Sequence, residues 1–502
     1  MSEPTSIPTP ANPDADIAKR QRDAVDKLLA RDAAVSTGSA LLGGQRLDYS
    51  VHAAFVPVAA SGAASAGAPP DAAVFTTAYL KKDADAATRP VCFAFNGGPG
   101  SASLWLHVGA LGPKRVVIQD DGHAGAPPYG LVDNEASWFD CFDLVFIDPP
   151  HTGWSLAASD DARKKLLSVD GDVDALTEVM RLWLTRHQRW GSPLYLVGES
   201  YGTTRGAALA DKLQASGIAL SGVILVSCAM DLQSIVFAPA NDLPYALFLP
   251  ALANTSQYHG LLKGSLAASS QAAREAAEEF ANGDYLAALH AGARLGGRQR
   301  SRIAKRIAEL TGFSAELVEQ QNLRISDRFY FMEAMRAQGR VVGRLESRVT
   351  GPMGAMRSHE WEFDPGIDAI VAPYRMATQA YYAGPLGVQT DQRYEALNMD
   401  VNRGWNWNRG EAKGNGYACT TPDLARALRR NAHLKVLVAS GRYDLGTPYS
   451  ASDWSLAQLD VPADVMARVT HRYYDAGHMM YTRGADLQKL KTDLVDWMGG
   501  GA

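Results

Sequence analysis

The sequence predicts an α/β protein in which a mostly parallel central sheet is flanked by helices. Short, unbroken apolar runs of strand length alternate with amphipathic helical patterns along much of the chain. The strand-like runs include "PVCFAF", "DLVFID", "PLYLVG", "GVILVS" and "LKVLVAS", while "DALTEVMRLWLTRHQ" and "TPDLARALRRNA" are typical of the helices. Strands that are apolar on both sides are typical of a parallel sheet covered by helices on both faces.

The composition is that of an ordinary globular protein. Of 502 residues, 46% are hydrophobic and 21% are charged, which is enough for one large core or for a main domain with an insertion. The formal net charge of −5 provides no basic footprint for nucleic acid or for an anionic membrane. The apolar run "YALFLPALA" is too short to span a bilayer and contains Pro250. We therefore expect neither nucleic-acid nor membrane partners.

The N-terminus and the cysteines predict a cytoplasmic protein. The first thirty residues are polar and rich in proline, without the basic start and apolar run of a secretory signal. The four cysteines Cys92, Cys141, Cys228 and Cys419 have no CxxC spacing, so neither a zinc site nor a disulfide framework is indicated. Two of them lie in or beside apolar runs, where a reduced thiol behaves as a small hydrophobe. We expect no metal and no cofactor.

The patterns divide the chain into four segments. Residues 1–40 are expected to form a loose tail with a short helix, and residues 41–230 the first part of the α/β core, beginning with a β-meander around "LDYSVHAAFVPV" and "AVFTTAYL". Between 231 and 390 the strand-like runs disappear and helical patterns such as "SRIAKRIAELTG" replace them. This segment is predicted to be a helical cap over the C-terminal edge of the strands, where ligands bind. Residues 391–502 then complete the core.

A candidate nucleophile lies in "PLYLVGESYGTTRGAALADKL". This stretch has the order strand, tight turn, helix, and its centre is a G-x-S-x-G pattern. Gly198 and Gly202 allow the sharp turn that places the hydroxyl of Ser200 at the N-terminal end of a helix. The five-residue pattern alone is weak, but its strand and helix are the context that a nucleophile elbow requires. We predict that Ser200 is the nucleophile.

A serine nucleophile needs a base and an acid that orients the base. In this architecture the partners follow in the order Ser, Asp, His, each in a loop after a strand. Asp444 follows "LKVLVAS", and His478 follows the last strand-like run, in "HRYYDAGHMMY". His471 and Asp475 are the nearest rivals, but Asp475 lies within one turn of His478 and is expected to be structural.

A glycine-rich loop supplies donors for the charge that develops in acyl transfer. In "FAFNGGPGSASLW" an apolar strand leads into Asn96-Gly97-Gly98-Pro99-Gly100, whose glycines expose backbone N–H groups. An acyl-transfer site needs such donors aimed at the oxyanion. We therefore interpret this loop as part of the same site as Ser200.

Several separate blocks resemble the serine carboxypeptidases, which are peptidases of the α/β-hydrolase fold. The resemblance runs from about Ala94 to the C-terminus, and it is carried by "NGGPGSAS", "DNEASW", "FIDPPHTGWS", "GESYG", "SGRYDLGTP" and "AGHMMY", in this order. It implies an enzyme that removes C-terminal residues from peptides with a free C-terminus through an acyl-enzyme intermediate.

The resemblance also implies roles for individual residues. By position, Ser200, Asp444 and His478 form the triad, and the backbone N–H groups of Gly98 and Tyr201 form the oxyanion hole.

Three more residues fall where the family binds the C-terminal carboxylate of the substrate: Asn96, Gly97 and Glu199. Two carboxyl groups form a hydrogen bond only if one of them holds a proton. Glu199, beside Ser200 and beneath the cap, is therefore expected to be kept neutral by desolvation and to act as a donor. Such a site works best at mildly acidic pH.

The sequence departs from the family pattern at several positions. Ala110 stands where many members have a glutamate before Leu-Gly-Pro, and His151 interrupts a block that is usually flanked by glycine. Ser101 stands where a cysteine often follows "NGGPG", which agrees with a reducing compartment. Arg205, in the helix after Ser200, is expected to form a structural ion pair rather than to bind a carboxylate.

Other functions remain open at this point. The same triad serves an esterase or an acyltransferase, and the loss of the glutamate at Ala110 favours these alternatives. A prolyl aminopeptidase also has a "GGPG" loop, but it is expected to have a small residue where Glu199 stands. A catalytically inactive binding module is disfavoured because the triad and the loop are all present. The oligomeric state and the preferred side chain at the scissile bond are left undetermined.

Overall fold

A computed structural model describes residues 13–59, 69–354, 360–409 and 416–499. These ranges contain the strands β1 (Ala34–Leu42), β2 (Gln45–Val58), β3 (Ala72–Lys81), β4 (Val91–Phe95), β5 (Lys114–Val116), β6 (Leu131–Asp133), β7 (Asp143–Ile147), β8 (Leu156–Ala157), β9 (Leu194–Glu199), β10 (Gly222–Val226), β11 (Arg340–Val342), β12 (Thr350–Pro352), β13 (Lys435–Gly441) and β14 (Val469–Tyr474). The α-helices are α1 (Pro13–Leu29), α2 (Leu104–Leu106), α3 (Asp160–Leu166), α4 (Val169–Arg186), α5 (Tyr201–Ala215), α6 (Leu243–Tyr258), α7 (Ser270–Phe280), α8 (Leu286–Ala291), α9 (Gly297–Thr311), α10 (Ala315–Gln320), α11 (Asp327–Glu333), α12 (Pro365–Ala383), α13 (Met399–Arg403), α14 (Thr421–Arg430), α15 (Tyr449–Ala457), α16 (Ala463–Met466) and α17 (Gly484–Gly499).

The central sheet is mostly parallel, as predicted. Its strand order is β1-β2-β3-β7-β4-β9-β10-β13-β14, and β8 pairs with β3 outside this path. The strands from β7 to β14 along this order are parallel, whereas β1, β2, β3 and β7 pair with one another antiparallel. The sheet therefore carries the carboxyl ends of β4, β9, β10, β13 and β14 to one edge.

Alternating residues of the parallel strands bury opposite faces of the sheet. On β4, Cys92 belongs to one hydrophobic cluster and Phe93 to the other, and on β9 Val197 and Leu196 divide in the same way. The first cluster packs against α12 and α17, and the second against α4, α5 and α14. Burial on both sides explains why these strands read as unbroken apolar runs.

The N-terminal boundary of the core differs from the expectation. Residues 1–12 lie outside the described residues, and the predicted short helix is α1. However, the expectation of a loose segment up to residue 40 is wrong for Ala34–Ala40, which lie in β1 and pair with β2. This edge strand consists largely of small and polar residues whose exposure alternates, so it lacks the apolar run that marks the inner strands.

Helices between β10 and β13 form a cluster of their own. Residues from Ala246 to Val342, in α6 to β11, bury a separate hydrophobic core that meets the sheet domain at Leu445 and Tyr449. The expected cap boundary at residue 390 does not coincide with this cluster, because α12 packs onto the sheet through Ile370. A helical pattern does not reveal which of two surfaces its apolar face covers. Among the described helices, none is both long and apolar enough to cross a bilayer.

Candidate active site

Ser200 lies in the sharp turn between β9 and α5. Its φ of 60° and ψ of −128° are unusual for a residue with a side chain, and such strained positions cluster at functional sites. A Cβ atom on Gly198 would lie only 2.1 Å from the carbonyl oxygen of Gly202, so this turn requires glycine there. The backbone N–H of Ser200 donates to the carbonyl of Val226 on the neighbouring strand at 2.9 Å. The predicted elbow is therefore held by the sheet itself.

Asp444 and His478 meet at the carboxyl edge of the sheet. The Nδ1 atom of His478 lies 2.7 Å from Oδ2 of Asp444. Oδ1 of Asp444 accepts hydrogen bonds from the N–H groups of Gly446 at 2.7 Å and Thr447 at 3.0 Å. The Thr447 hydroxyl donates to Oδ2 at 2.8 Å. Because Nδ1 is engaged by the acid, Nε2 is the ring nitrogen left to accept a proton. His478 and Ser200 line the same cavity.

The protonation of His478 depends on two opposing effects. Asp444 is fully buried and His478 is 5% exposed. Burial by itself lowers the pKa of His478, but the carboxylates of Asp444 and Glu199 outweigh it, so the pKa is raised above its usual value. The structure thus favours the imidazolium form of His478.

The two rival residues have other partners. Both ring nitrogens of His471 are occupied, since Nδ1 lies 2.9 Å from Asp453 and Nε2 lies 2.9 Å from the Ser440 hydroxyl. The carboxylate of Asp475 is more than half exposed and lies 3.5 Å from Arg483. The structure therefore brings Asp444, and not Asp475, to His478.

The glycine-rich loop packs directly against the elbow. A Cβ atom on Gly97 would lie 2.5 Å from the backbone nitrogen of Tyr201 and 2.6 Å from that of Gly202. Gly98 has a φ of 99° and lines the cavity together with Ser200. Tyr201 is the first residue of α5, so its N–H has no acceptor within the helix. The two N–H groups predicted to bind the oxyanion therefore belong to adjoining segments, although their role stays a prediction.

Glu199 is buried beside Ser200 and paired with Asn96. It is 4% exposed, and its Oε1 accepts a hydrogen bond from Nδ2 of Asn96 at 2.9 Å. The Asn96 amide is itself oriented, because its Oδ1 accepts the N–H of Leu106 at 3.1 Å. Within the described part of the chain, Oε2 of Glu199 is buried without a hydrogen-bond partner. This oxygen is available to a ligand in the cavity.

Burial also changes the acidity of Glu199. Desolvation raises its pKa to about 7, while the charge of His478 and the polar groups of Tyr481 and Asn96 oppose this rise. Glu199 is therefore protonated over the mildly acidic range, in which an ordinary exposed glutamate is ionised.

Two buried tyrosines lie near Glu199 and Ala110. Ala110 lies in a buried helical turn, and its carbonyl accepts Nδ2 of Asn134 at 2.8 Å. A Cβ atom on the preceding Gly109 would lie 2.5 Å from the hydroxyl of Tyr374 and 2.7 Å from the ring of Tyr481. Burial, reinforced by the charge of Glu199, raises the pKa of both tyrosines, so both are neutral donors. Sequence reasoning assigned neither tyrosine a role: Tyr374 lies in a helix without a motif, and the block "AGHMMY", which ends at Tyr481, was interpreted only for His478.

The expected ion pair of Arg205 is present beneath the elbow. Its Nε donates to Oδ2 of Asp172 on α4 at 2.7 Å, and both side chains are almost fully buried. A second nitrogen of Arg205 donates to the carbonyl of Asn96 at 2.6 Å, and the guanidinium lies 5.1 Å from the ring centre of Tyr201. The pair thus ties the glycine-rich loop to the elbow helix. Asp172 was not anticipated, since it is only one acid in an amphipathic helix.

The cavity of about 550 Å³ is completed by residues that no motif indicated. The helical segment after β10 contributes Asp327, Arg328, Phe331, Arg344, Leu345 and Trp361. The carbonyl of Leu345 accepts the N–H of His478 at 2.6 Å, so this segment contacts the loop that carries His478. It presents two arginines and two aromatic rings to any ligand at Ser200.

A second unanticipated element covers the glycine-rich loop. The N–H of Asn398 donates to the carbonyl of Gly100 at 2.7 Å, and Nδ2 of Asn402 donates to the carbonyl of Gly98 at 3.2 Å. Nδ2 of Asn398 also donates to the carbonyl of His151, whose φ is 62° and whose buried ring has a pKa lowered to about 4 by desolvation. Asn398, which precedes α13, and Asn402 within α13 therefore hold both loops in place.

Comparison with known proteins agrees with the resemblance seen in the sequence. Residues 61–263 match the family model of the serine carboxypeptidases. This range includes the glycine-rich loop and Ser200, whereas Asp444 and His478 lie beyond it. The chain is 30% identical over 171 residues to the pheromone-processing carboxypeptidase KEX1 of Yarrowia lipolytica. This alignment covers 33% of this chain and 25% of that protein. The chain is 29% identical over 125 residues to serine carboxypeptidase-like 5 of Arabidopsis thaliana, covering 24% of this chain and 27% of that protein.

These alignments span about a quarter of the length of the curated relatives. The likeness of the fold extends further. The crystal structure of the Saccharomyces cerevisiae prohormone-processing carboxypeptidase Kex1 superposes with a TM-score of 0.56 at 13% sequence identity, covering 90% of this chain and 92% of that one. The α/β-hydrolase fold and the resemblance to serine carboxypeptidases are therefore confirmed.

Proposed function

We propose that this protein is a serine carboxypeptidase that removes C-terminal residues from peptides with a free C-terminus. The observation that carries the proposal is the buried pair of Glu199 and Asn96, which lies in the same cavity as Ser200 and His478. A carboxyl group with its pKa raised to about 7 is poorly suited to binding a cation, but it is a good donor to a substrate carboxylate. The match of residues 61–263 to the serine carboxypeptidase family supports the same reaction.

The proposed reaction has two steps. In the first step Nε2 of His478 takes the proton of the Ser200 hydroxyl, and Oγ attacks the carbonyl carbon of the last peptide bond. The N–H groups of Gly98 and Tyr201 receive the oxyanion, and His478 then passes the proton to the leaving amine, so that the C-terminal amino acid departs. In the second step water attacks the acyl-enzyme with His478 as the base, which releases the shortened peptide and restores Ser200.

Recognition of the C-terminus is assigned to the buried pair. Protonated Glu199 donates through Oε2 to the carboxylate of the substrate, while Asn96 holds the opposite oxygen of Glu199. The second hydrogen on Nδ2 of Asn96 and the N–H of Gly97 supply further donors. With Ala110 in place of a second acid, the buried neutral hydroxyls of Tyr374 and Tyr481 are the polar groups that lie near Glu199.

The experiment compares one N-terminally blocked tripeptide as its free acid and as its C-terminal amide. The proposal predicts release of a single C-terminal residue from the free acid, detected by mass spectrometry, and much slower turnover of the amide below pH 7. Ser200→Ala, which removes the nucleophile, serves as the inactive control. Equal cleavage of both peptides, or cleavage only at an internal bond, would contradict the proposal.

An esterase or acyltransferase is the second candidate, because Ala110 leaves the acidic network with one glutamate. This candidate predicts that esters of a blocked amino acid are turned over while the free-acid peptide is not. Transfer to an alcohol instead of water would identify the acyltransferase. A fluorophosphonate probe should label Ser200 in either enzyme, whereas an inactive binding module would stay unlabelled.

A cytoplasmic location is part of the proposal as well. All four cysteines are free thiols, and Cys92 and Cys228 are buried among apolar side chains. Free thiols persist in a reducing compartment. Fractionation of the source cells, with an antibody against the protein, tests this location directly.

A further inference from the structure

A second cavity, of about 480 Å³, lies between the helical cap and the sheet domain. Its walls are formed by α6 and α7 on the cap side and by α15, the end of β14 and the loop after β13 on the other. The loop after β13 is the one that carries Asp444. The residues around this cavity differ from those around Ser200, and the proposed peptidase reaction makes no use of them.

Two guanidinium groups meet at this cavity from opposite walls. Arg274 of α7 is 6% exposed, and one of its nitrogens donates to Oδ1 of Asn254 at 2.9 Å. Arg442 lies in the loop after β13, with its guanidinium carbon 5.5 Å from the ring centre of Tyr473. Burial lowers the pKa of Arg274 and the positive charge of Arg442 lowers it further, while Tyr449, Tyr443 and the Glu278 carboxylate oppose this change. The two cations therefore act on each other across the cavity.

The carboxylates at the cavity already have donors of their own. Glu278 accepts the hydroxyl of Tyr449 at 2.6 Å. Asp453 accepts the hydroxyl of Tyr473 at 2.6 Å and lies 2.9 Å from Nδ1 of His471. Among the residues that the structure describes, neither Arg274 nor Arg442 forms an ion pair with a carboxylate.

We propose that this cavity binds a phosphate group, either as the free ion or as a phosphomonoester, between Arg274 and Arg442. Glu278 and Asp453 also line the cavity, but neither forms an ion pair with a guanidinium among the described residues. A buried cation that no carboxylate contacts directly keeps part of the cost of its burial, and an anion that contacts both guanidiniums reduces this cost. The planar guanidinium presents paired N–H donors that match two oxygens of a phosphate. The volume exceeds the size of inorganic phosphate, so a small organic group fits beside it.

Binding at this site connects the cap with the loop of the triad acid. Nδ2 of Asn254 donates to the backbone carbonyl of Arg442 at 3.1 Å, while its Oδ1 accepts Arg274. An anion bound by both arginines would add a second link between α7 and the loop after β13, on the side that faces the cavity. The inference is independent of the proposed peptidase reaction, because it concerns binding alone.

The test is calorimetric titration with inorganic phosphate and with glycerol 2-phosphate, at constant ionic strength set with chloride. The variants are Arg442→Gln, which removes a half-buried guanidinium, and Arg274→Gln. Arg298→Gln on α9, an exposed arginine of the cap, is the matched control. We expect saturable binding to the wild type and the control, and affinity weakened by roughly 30-fold or more when either cavity arginine is lost.

Binding of both ligands identifies the phosphate group itself as the ligand, and binding of glycerol 2-phosphate alone identifies a phosphomonoester. Thermal unfolding with and without ligand gives a second measurement, since a ligand of the native state raises its melting temperature. If Arg274→Gln fails to fold, Arg442→Gln decides the question. The proposal is overturned if neither ligand binds, or if Arg442→Gln binds as tightly as the control.

Discussion

Substitution of Glu199 by glutamine tests how the protein recognises a C-terminus. The change keeps the size of the side chain and a hydrogen-bond donor, but it removes the ionisable group. In the wild type, donation from Oε2 requires the protonated form, whose pKa is raised to about 7 by burial. As the pH rises through this value, the ionised Glu199 repels the substrate carboxylate.

The structure sets the size of the expected effect. For a group with a pKa of about 7, the protonated fraction falls roughly tenfold between pH 6 and pH 8. KM of the wild type for a free-acid peptide should therefore rise by about that factor. In Glu199→Gln this rise should largely disappear, and KM for the matching C-terminal amide should change little in either protein.

A linked effect on stability provides a readout without substrate. The folded protein holds the Glu199 proton more tightly than the unfolded chain does, because its pKa lies at about 7 instead of 4.5. The free energy of unfolding should therefore fall as the pH rises from 4.5 to 7, by roughly 3 kcal/mol at most, and glutamine should abolish this contribution. Chemical denaturation at several pH values measures the difference between the two proteins.

The assay is kcat/KM between about pH 4 and pH 8 for the matched free acid and amide, with both proteins. Protonation of His478 lowers kcat at acidic pH for both peptides alike, so the ratio of the two peptides isolates Glu199. A ratio that stays constant with pH in the wild type would refute the reasoning. Retention of the full pH dependence of KM in Glu199→Gln would also refute it.

The remaining predictions concern the triad and its support. Ser200→Ala should lower kcat by several orders of magnitude and abolish fluorophosphonate labelling while the circular dichroism spectrum stays unchanged. His478→Ala should be equally damaging and His471→Ala mild, and kinetics showing the reverse order would make the assignment of the base wrong. Asp444→Asn should lower kcat by about 10⁴, because the imidazole is then held in the wrong tautomer, and near-normal turnover would point to another acid. Arg205→Met should destabilise the protein by about 3–5 kcal/mol in urea titrations by leaving its buried partner uncompensated, and a loss below 1 kcal/mol would speak against this role.

The sequence by itself determined the features that depend on residues close together in the chain. The apolar runs predicted a parallel sheet because each inner strand is covered on both faces, and the contacts of Cys92 and Phe93 show that coverage. The glycines around Ser200 predicted the sharp turn because the backbone at Gly198 leaves no room for a side chain. The order of the loops likewise predicted that Asp444 and His478 approach each other.

Features that depend on long-range packing were decided only by the tertiary structure. Strand β1 escaped prediction because an edge strand of small residues needs no apolar run, and α12 packs on the sheet although its pattern fits either surface. Tyr374 and Tyr481 reach Gly109 from separate parts of the chain, and Asp172 reaches Arg205 from another helix. A local sequence pattern shows which residues are apolar and which glycines permit a tight turn. The burial that raises the pKa of Glu199 comes from side chains that meet only when the chain has folded.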